Sequence, residues 1–151
     1  MGYYNSNIYK YLISTIEYAN KYTEGVLYNE LGREGEKCVV RILNEMGLNV
    51  KLAKNKNQPD YDACIYHENN ELYGIIQIKT DTDGNLKCKC MTHKQIKNLM
   101  HYEHPITKKC LEPILINYYP YHNDTMIAHN FLRSKWFISV NRKNFIEYKP
   151  N

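Results

Sequence analysis

The chain has 151 residues and a formal net charge of +4, and 43% of its residues are hydrophobic, which is enough for one domain with its own core. It has no apolar run of membrane-spanning length, and its first residues are polar and aromatic, which excludes membrane-spanning and secreted classes. Five cysteines without framework spacing predict reduced thiols. We therefore expect a cytoplasmic (intracellular) protein without a membrane partner.

The first third of the chain predicts two helices and a strand. Apolar residues recur with a helical period from Ile8 to about Tyr22, and Gly25 is expected to end that helix. The clearest helical pattern runs from Glu34 to Met46, and Gly47 follows it where a C-terminal cap belongs. Residues 48–52 then suit a first strand.

A β-hairpin and further elements are predicted downstream. The apolar runs 62–66 and 72–80 flank a short polar segment, which is typical of two paired strands. The elements expected after them are a strand at 86–91, a helix capped by Thr92 and ending near His101, a strand at 114–119 and a strand region at 131–140. This order predicts a layered α/β or α+β fold.

Polar side chains of this hairpin form a candidate site. Asp62 opens the first strand, and Gln77 and Lys79 lie on the second strand. Alternation puts both of these side chains on the face opposite to Ile76 and Ile78. An acid beside an amide and an ammonium group can hold a divalent cation and a phosphate, so the pattern predicts a metal-dependent nuclease.

Glu36 is a second candidate acid. It precedes the apolar residues 39, 40 and 43 of its helix by three, four and seven positions, so it shares the face that meets the sheet. An ionised glutamate on such a face needs a partner, and a metal ion or Lys79 would supply one. The alternative is a glutamate that reaches water from the first helical turn.

Three short segments, in this order, resemble the PD-(D/E)XK nuclease superfamily, which has the restriction-endonuclease fold. They are residues 32–36 (GREGE) opening a helix, residues 59–62 (PDYD) and residues 77–79 (QIK). The resemblance covers residues 32–140 and implies a restriction-endonuclease-like core with a central mixed β-sheet flanked by helices. Residues 1–31 would be an N-terminal helical addition within a single nuclease domain.

Gln77 departs from the superfamily pattern, which usually has an acid at this position. With a glutamine at this position the chain resembles modification-dependent restriction enzymes and group I intron homing endonucleases. The helix spacing around Glu36 resembles that of archaeal-type Holliday junction resolvases. A glutamine carbonyl oxygen can still coordinate a hard cation, but it contributes no negative charge. Glu36 would then matter more as a second anionic group.

The resemblance implies a Mg²⁺ site in which Mn²⁺ could substitute. The ligands that it implies are Asp62, Gln77, the backbone carbonyl of Ile78, and Glu36. Lys79 would hold the attacking water or the charge that develops on the phosphate. Asp60 is the alternative acid, and Asp62 is preferred because residues 63–66 continue from it as a buried strand.

The activity expected from the resemblance is hydrolysis of double-stranded DNA by a site-specific endonuclease of homing or restriction type. One small site cuts one strand, so a double-strand break implies a homodimer or homotetramer. The alternatives are a Holliday junction resolvase, a DNA-binding module of the same fold without catalysis, and an unrelated α+β interaction protein.

Basic residues are concentrated downstream of the candidate site. Residues 86–110 carry six lysines against Glu103 alone, and residues 133–149 carry five basic residues against Glu147. This distribution favours a polyanionic partner, although a solvated lysine-rich surface would have the same composition. The candidate DNA contacts are Lys87, Lys89, His93, Lys94, Lys97 and Arg133. Cys88, Cys90 and His93 could suggest zinc, but their spacing matches no common zinc finger.

Overall fold

A computed structural model describes residues 24–53, 61–81 and 91–149, with side chains described from residue 32 onward. Two helices and seven strands lie in these ranges. The helices are α1 (Glu24–Glu45) and α2 (His93–Met100), and the strands are β1 (Asn49–Leu52), β2 (Ala63–Tyr66), β3 (Leu72–Thr80), β4 (Glu112–Tyr119), β5 (Thr125–Asn130), β6 (Lys135–Ser139) and β7 (Ile146–Tyr148).

The seven strands form one sheet whose spatial order follows the chain from β1 to β7. β3 and β4 are parallel, with Gly74 beside Glu112 at one end and Thr80 beside Tyr118 at the other. Every other neighbouring pair is antiparallel. Parallel neighbours need a crossover connection, and α2 lies in the one between β3 and β4. The predicted α+β class with a mixed sheet is confirmed.

Each face of the sheet carries its own buried cluster. On one face, Val39 of α1 lies in a cluster with Ile76 and Ile78 of β3. On the opposite face, Ile75 of β3 clusters with Leu99 of α2. Alternate residues of β3 therefore face different layers, and burial of each large apolar side chain stabilises the fold by about 1.5–3 kcal/mol. Neither described helix combines the length and the apolar composition that a bilayer span requires.

The first described helix is longer than predicted. α1 begins at Glu24, whereas the sequence pattern predicted a start at Glu34 and a helix end at Gly25. Glycine lowers helix stability by about 1 kcal/mol without forbidding the helix, and packing against the sheet overrides this preference. The expected boundary between the N-terminal addition and the core, at residues 31 and 32, lies within α1. The helix predicted at residues 8–22 lies outside the described residues.

The predicted hairpin is confirmed as β2 and β3, which pair antiparallel. The helix predicted after Thr92 is also confirmed as α2, and Thr92 caps it. The Thr92 hydroxyl accepts a hydrogen bond from the Gln95 backbone N–H at 3.1 Å, and the Gln95 side chain accepts one from the Thr92 N–H at 3.0 Å. This reciprocal capping box satisfies two donors that a helix start would otherwise leave unpaired.

The strand region predicted at residues 131–140 is only partly right. Residues 131–134 form a turn, and β6 begins at Lys135. β5, immediately before that turn, was not predicted because nearly all of its residues are buried, so it lacks the apolar–polar alternation of a half-exposed strand. β7 has three residues and was also missed. The strand predicted at residues 86–91 falls largely outside the described residues.

A buried ion pair connects α1 to the turns that follow β4 and β6. Asp124 is 2% exposed, and its carboxylate accepts hydrogen bonds from the Tyr118 hydroxyl at 2.5 Å and from Arg142 Nε at 3.2 Å. Arg142 also donates to Glu45 on α1 at 3.2 Å. Because a buried carboxylate needs such partners, this network fixes the end of α1 against the sheet.

Candidate active site

Asp62 lies directly before β2 and is held by the backbone of β3. Its own N–H donates to the Ile76 carbonyl at 2.8 Å, and one of its carboxylate oxygens accepts from the Ile78 N–H at 2.8 Å. Its carbonyl accepts from the Ala53 N–H at 2.9 Å, just beyond β1. The acid is therefore fixed where three strands meet at one end of their pairing, and the hydrogen bond from Ile78 is charge-assisted.

The Glu36 side chain lies beside Asp62. The two carboxyl groups are close enough to interact through a hydrogen bond, and both are partly buried. Glu36 projects from the part of α1 that packs on the sheet, in line with its helical phase, and it is partly exposed. Two anionic groups so close together in a low-dielectric site are stable only if they share a proton or bind a cation.

The pKa values of both acids reflect this arrangement. Burial, followed by the charge of Asp62 and the hydrogen bond to it, raises the pKa of Glu36 from its ordinary 4.5 to about 8. Burial also raises the pKa of Asp62, while the Ile78 N–H, the hydrogen bond with Glu36 and the charge of Lys79 oppose that rise. Burial and their closeness thus disfavour ionisation of both acids at once, and a shared proton or a bound cation would relieve the repulsion.

Lys79 places positive charge near this pair. It lies on β3 beyond Ile78, is half-buried, and its charge lowers the pKa of both Glu36 and Asp62. Among the described residues, no carboxylate oxygen lies within 4.0 Å of its ammonium group. The ammonium group thus acts on the carboxyl pair at a distance, and its N–H groups are donors of the kind that suit an anionic ligand such as a phosphate.

The two remaining predicted ligands, Gln77 and the Ile78 carbonyl, differ in how they relate to the carboxyl pair. The N–H and C=O of one strand residue point to the same side of the strand, so the Ile78 carbonyl lies on the side of β3 from which its N–H donates to Asp62, beyond the last β2 pair at Ala63. Gln77 pairs with Leu115 on β4 and shares its strand face with Lys79. The contacts of the described residues include no hydrogen bond from the Gln77 amide to either carboxyl group.

These residues form an oxygen-rich donor set. Two carboxyl groups and a backbone carbonyl fit a hard cation such as Mg²⁺, which proteins bind through one or two carboxylates while waters and phosphate oxygens fill the rest of its shell. The Gln77 side chain lies on the sheet face opposite to the one on which α1 packs. Within the described ranges, no three His, Cys, Asp or Glu side chains converge on one point. The set thus lacks the nitrogen and sulfur ligands of a structural zinc site.

Several predicted residues lie outside this group. Asp60, Lys87 and Lys89, with Cys88 and Cys90, fall in residues 54–60 and 82–90, which lie outside the described part of the chain. His93, Lys94 and Lys97 lie on α2 and are all exposed. A helix surface that carries three such side chains within about one turn can contact a phosphate backbone.

Arg133 lies away from the carboxyl pair. Its Nε donates to the buried carboxylate of Glu112, which is 7% exposed, although the arginine side chain itself is 62% exposed. Glu112 pairs with Gly74 at the start of β3, whereas Lys79 is five residues further along that strand. At about 3.3 Å per residue, Arg133 is anchored roughly 16 Å along the sheet from Lys79.

Arg33 is a site residue to which the sequence analysis gave no role of its own. Its charge lowers the pKa of Glu36 from three positions earlier on α1. Residues three apart are neighbours on a helix surface, so this spacing could have identified the contact. Arg33 is exposed and adds a second cation near the carboxyl pair, which suits an anionic ligand.

Comparison with known proteins returned no match. No family model matches the chain, and no curated protein or solved structure is significantly similar to it. The chemical interpretation of the site rests on its residues and their geometry.

Proposed function

We propose that this protein is a Mg²⁺-dependent endonuclease that hydrolyses phosphodiester bonds of double-stranded DNA, on a restriction-endonuclease-like fold. The observation that carries the proposal is the carboxyl pair of Glu36 and Asp62, held at the end of β3 by the Ile78 N–H, with the charge of Lys79 acting on both acids. A site that places two acids beside a lysine has the residues needed to bind a cation and a phosphate together.

Each residue has a separate role in this proposal. Asp62, oriented by the hydrogen bond from Ile78, would be the main ligand of the ion, and the Ile78 carbonyl, Glu36 and Gln77 would supply further oxygens. Bound Mg²⁺, or Mn²⁺ in its place, would polarise the scissile phosphate and lower the pKa of a coordinated water. Glu36 would also orient a water or a second ion. Lys79 neutralises the charge that develops on the phosphate.

The substrate class follows from charge and from the resemblance to site-specific nucleases. The exposed His93, Lys94 and Lys97 on α2, together with Lys87 and Lys89 outside the described residues, would contact the DNA backbone. Arg133 would contribute little to cleavage itself, because it is anchored far from the carboxyl pair. One site cuts one strand, so a homodimer or homotetramer would make a double-strand break in a site of homing or restriction type.

The test is nicking and linearisation of supercoiled plasmid DNA with and without Mg²⁺. The wild-type protein is expected to cut only with the metal, and Lys79→Ala is expected to lower the rate by about a hundredfold or more. The matched control is Lys135→Ala, which removes another strand lysine, on β6 and paired with Glu147. Cleavage that persists in Lys79→Ala at the wild-type rate would refute the assignment.

Gln77 favours a second candidate function, a DNA-binding module without catalysis. The superfamily that the chain resembles usually has an acid at this position, and among the described residues the Gln77 amide makes no hydrogen bond to the carboxyl pair. The same plasmid assay separates the two functions, because the binding module would bind DNA but leave it intact in Mg²⁺ and in Mn²⁺. Adding a four-way junction as substrate tests the resolvase alternative.

A further inference from the structure

α1 and β3 approach each other closely at Gly35 and Thr80. A Cβ atom built on Gly35 would lie 1.9 Å from Thr80 Oγ1, 2.9 Å from Thr80 Cβ and 3.3 Å from Thr80 Cγ2. Real Cβ atoms essentially never approach another heavy atom to less than 3.0 Å. A glycine is therefore required for this helix to lie where it does.

Rotation of the Thr80 side chain cannot relieve the contact. Turning χ1 moves Oγ1 and Cγ2, but Thr80 Cβ is fixed by the strand backbone and would remain 2.9 Å from the added atom. Ordinary contact begins at 3.4 Å, so α1 and β3 would have to separate by about 0.5 Å if χ1 turns Oγ1 and Cγ2 away, and by about 1.5 Å if Oγ1 stays in place. Any side chain at position 35 therefore moves the helix away from the end of the strand.

Gly32 provides an internal contrast on the same helix. Both glycines lie inside α1, where glycine is a poor helix former. A Cβ atom on Gly32 would meet nothing within 4 Å, whereas one on Gly35 would meet Thr80. Only position 35 has a packing reason for its lack of a side chain.

Each of the two residues is the chain neighbour of a residue of the candidate active site. Glu36 follows Gly35 on the helix, and Lys79 precedes Thr80 on the strand. Separating the helix from the strand thus separates Glu36 from Asp62, because Asp62 is tied to β3 through the Ile78 N–H. A shift of about 1 Å in an active site can lower a rate by about a hundredfold.

We infer that Gly35 is a positioning residue: its missing side chain lets α1 approach Thr80 closely enough for Glu36 to reach Asp62 and complete the cation site. This inference rests on the proposed function, since it names what sets the geometry of that same site. It assigns no chemical step to Gly35 or to Thr80. Their effect on the reaction passes through the position of Glu36.

The experiment compares Gly35→Ala, Gly32→Ala, Thr80→Gly and the double variant Gly35→Ala/Thr80→Gly. Mn²⁺ affinity is measured by isothermal titration calorimetry, plasmid cleavage gives kcat and KM, and circular dichroism reports folding. Gly35→Ala is expected to lower kcat by about a hundredfold and to weaken Mn²⁺ binding about tenfold. Gly32→Ala should match the wild type in both, because its added methyl group meets open space.

The double variant distinguishes positioning from general damage. Thr80→Gly removes all three atoms that the new methyl group would meet, so Gly35→Ala/Thr80→Gly should regain most of the Mn²⁺ affinity and kcat, relative to Thr80→Gly alone. If Gly35→Ala fails to fold, recovery of folding and Mn²⁺ binding in the double variant supports the same inference.

Wild-type Mn²⁺ binding and cleavage in Gly35→Ala, or no recovery in the double variant, would overturn the inference alone. A wild-type protein that neither binds Mn²⁺ nor cuts DNA would overturn the proposed function and this inference with it.

Discussion

The Ile78 N–H donates to a carboxylate oxygen of Asp62 at 2.8 Å, and this contact joins residues sixteen positions apart in the chain. It holds Asp62 at the end of the β2–β3 pairing, where Glu36 of α1 and the charge of Lys79 also act. The strand that carries Lys79 thus also orients the acid across from it. The paired strands β2 and β3, together with the helix α1, are enough to assemble the candidate site.

The stability of the metal-free protein should depend on pH through Glu36. Its pKa is raised from 4.5 to about 8 in the folded state, so between these values the folded protein keeps a proton that the unfolded chain has released. The stabilisation is complete below pH 4.5 and is lost as the pH rises through about 8. The free energy of unfolding, measured with a denaturant in EDTA, should therefore decline across this range.

Glu36→Gln is the matched comparison for this pH dependence. It keeps the shape of the side chain and removes the titration, so its decline should be much smaller than that of the wild type. Burial lowers the pKa of His129, so this residue changes the stability in the opposite direction to Glu36. The stabilisation that neutral His129 contributes is lost as the pH falls through its lowered pKa. This contribution is present in both proteins and cancels in the difference. Equal pH slopes in the two proteins would contradict the arrangement of the carboxyl pair.

The ion pair of Asp124 with Arg142 should contribute strongly to stability. Arg142→Ala leaves the Asp124 carboxylate, whose side chain is 3% exposed, without its cation. Loss of one partner of a buried pair destabilises a protein by about 3–5 kcal/mol. Because the Arg142 side chain is one-third exposed, we expect Arg142→Ala to lower the free energy of unfolding in urea by roughly 2–3 kcal/mol. Arg41→Ala is the control, since it removes an exposed partner of Glu45 and should change stability by less than about 1 kcal/mol. Equal effects of the two substitutions would contradict this account.

The exposed lysines of α2 should bind DNA without affecting the cation site. If Lys94 and Lys97 each contact one phosphate, the double variant Lys94→Ala/Lys97→Ala lowers the slope of log affinity against log salt by about 2. Fluorescence anisotropy of labelled duplex DNA in EDTA measures this slope. Lys51→Ala, which removes an exposed lysine on β1, should leave it unchanged. Mn²⁺ affinity should be the same in all three proteins, and a salt slope that does not change in the double variant would exclude this helix from the DNA interface.

The sequence predicted those parts of the fold that follow from local patterns. The hairpin of β2 and β3 has apolar runs bounded by a polar turn, and α2 has the capping pattern of Thr92 and Gln95, so both were found. The start of α1 was missed because glycines are poor helix formers, and the packing of Gly35 on Thr80 is a tertiary contact that local propensity does not contain. β5 was missed because burial of nearly all its residues removes the alternation that identifies a strand.

The candidate site was predictable in composition but not in its detailed contacts. Helical phase placed Glu36 towards the sheet, and strand alternation placed Gln77 and Lys79 on one face. The hydrogen bond from Ile78 to Asp62 depends on the register between β2 and β3, which the sequence does not specify. The raised pKa of both Glu36 and Asp62 depends on their burial and their closeness, so it also needed the structure.

Calorimetric titration of Mn²⁺ into the wild-type protein, Asp62→Asn and Glu34→Gln tests the central claim most directly. Asp62→Asn removes the charge of the proposed main ligand, whereas Glu34→Gln removes an acid of α1 that pairs with Lys37 instead. The account predicts that the wild type and Glu34→Gln bind Mn²⁺ alike, and that Asp62→Asn binds it at least about tenfold more weakly. Equal binding in Asp62→Asn, or no binding in the wild-type protein, would contradict it.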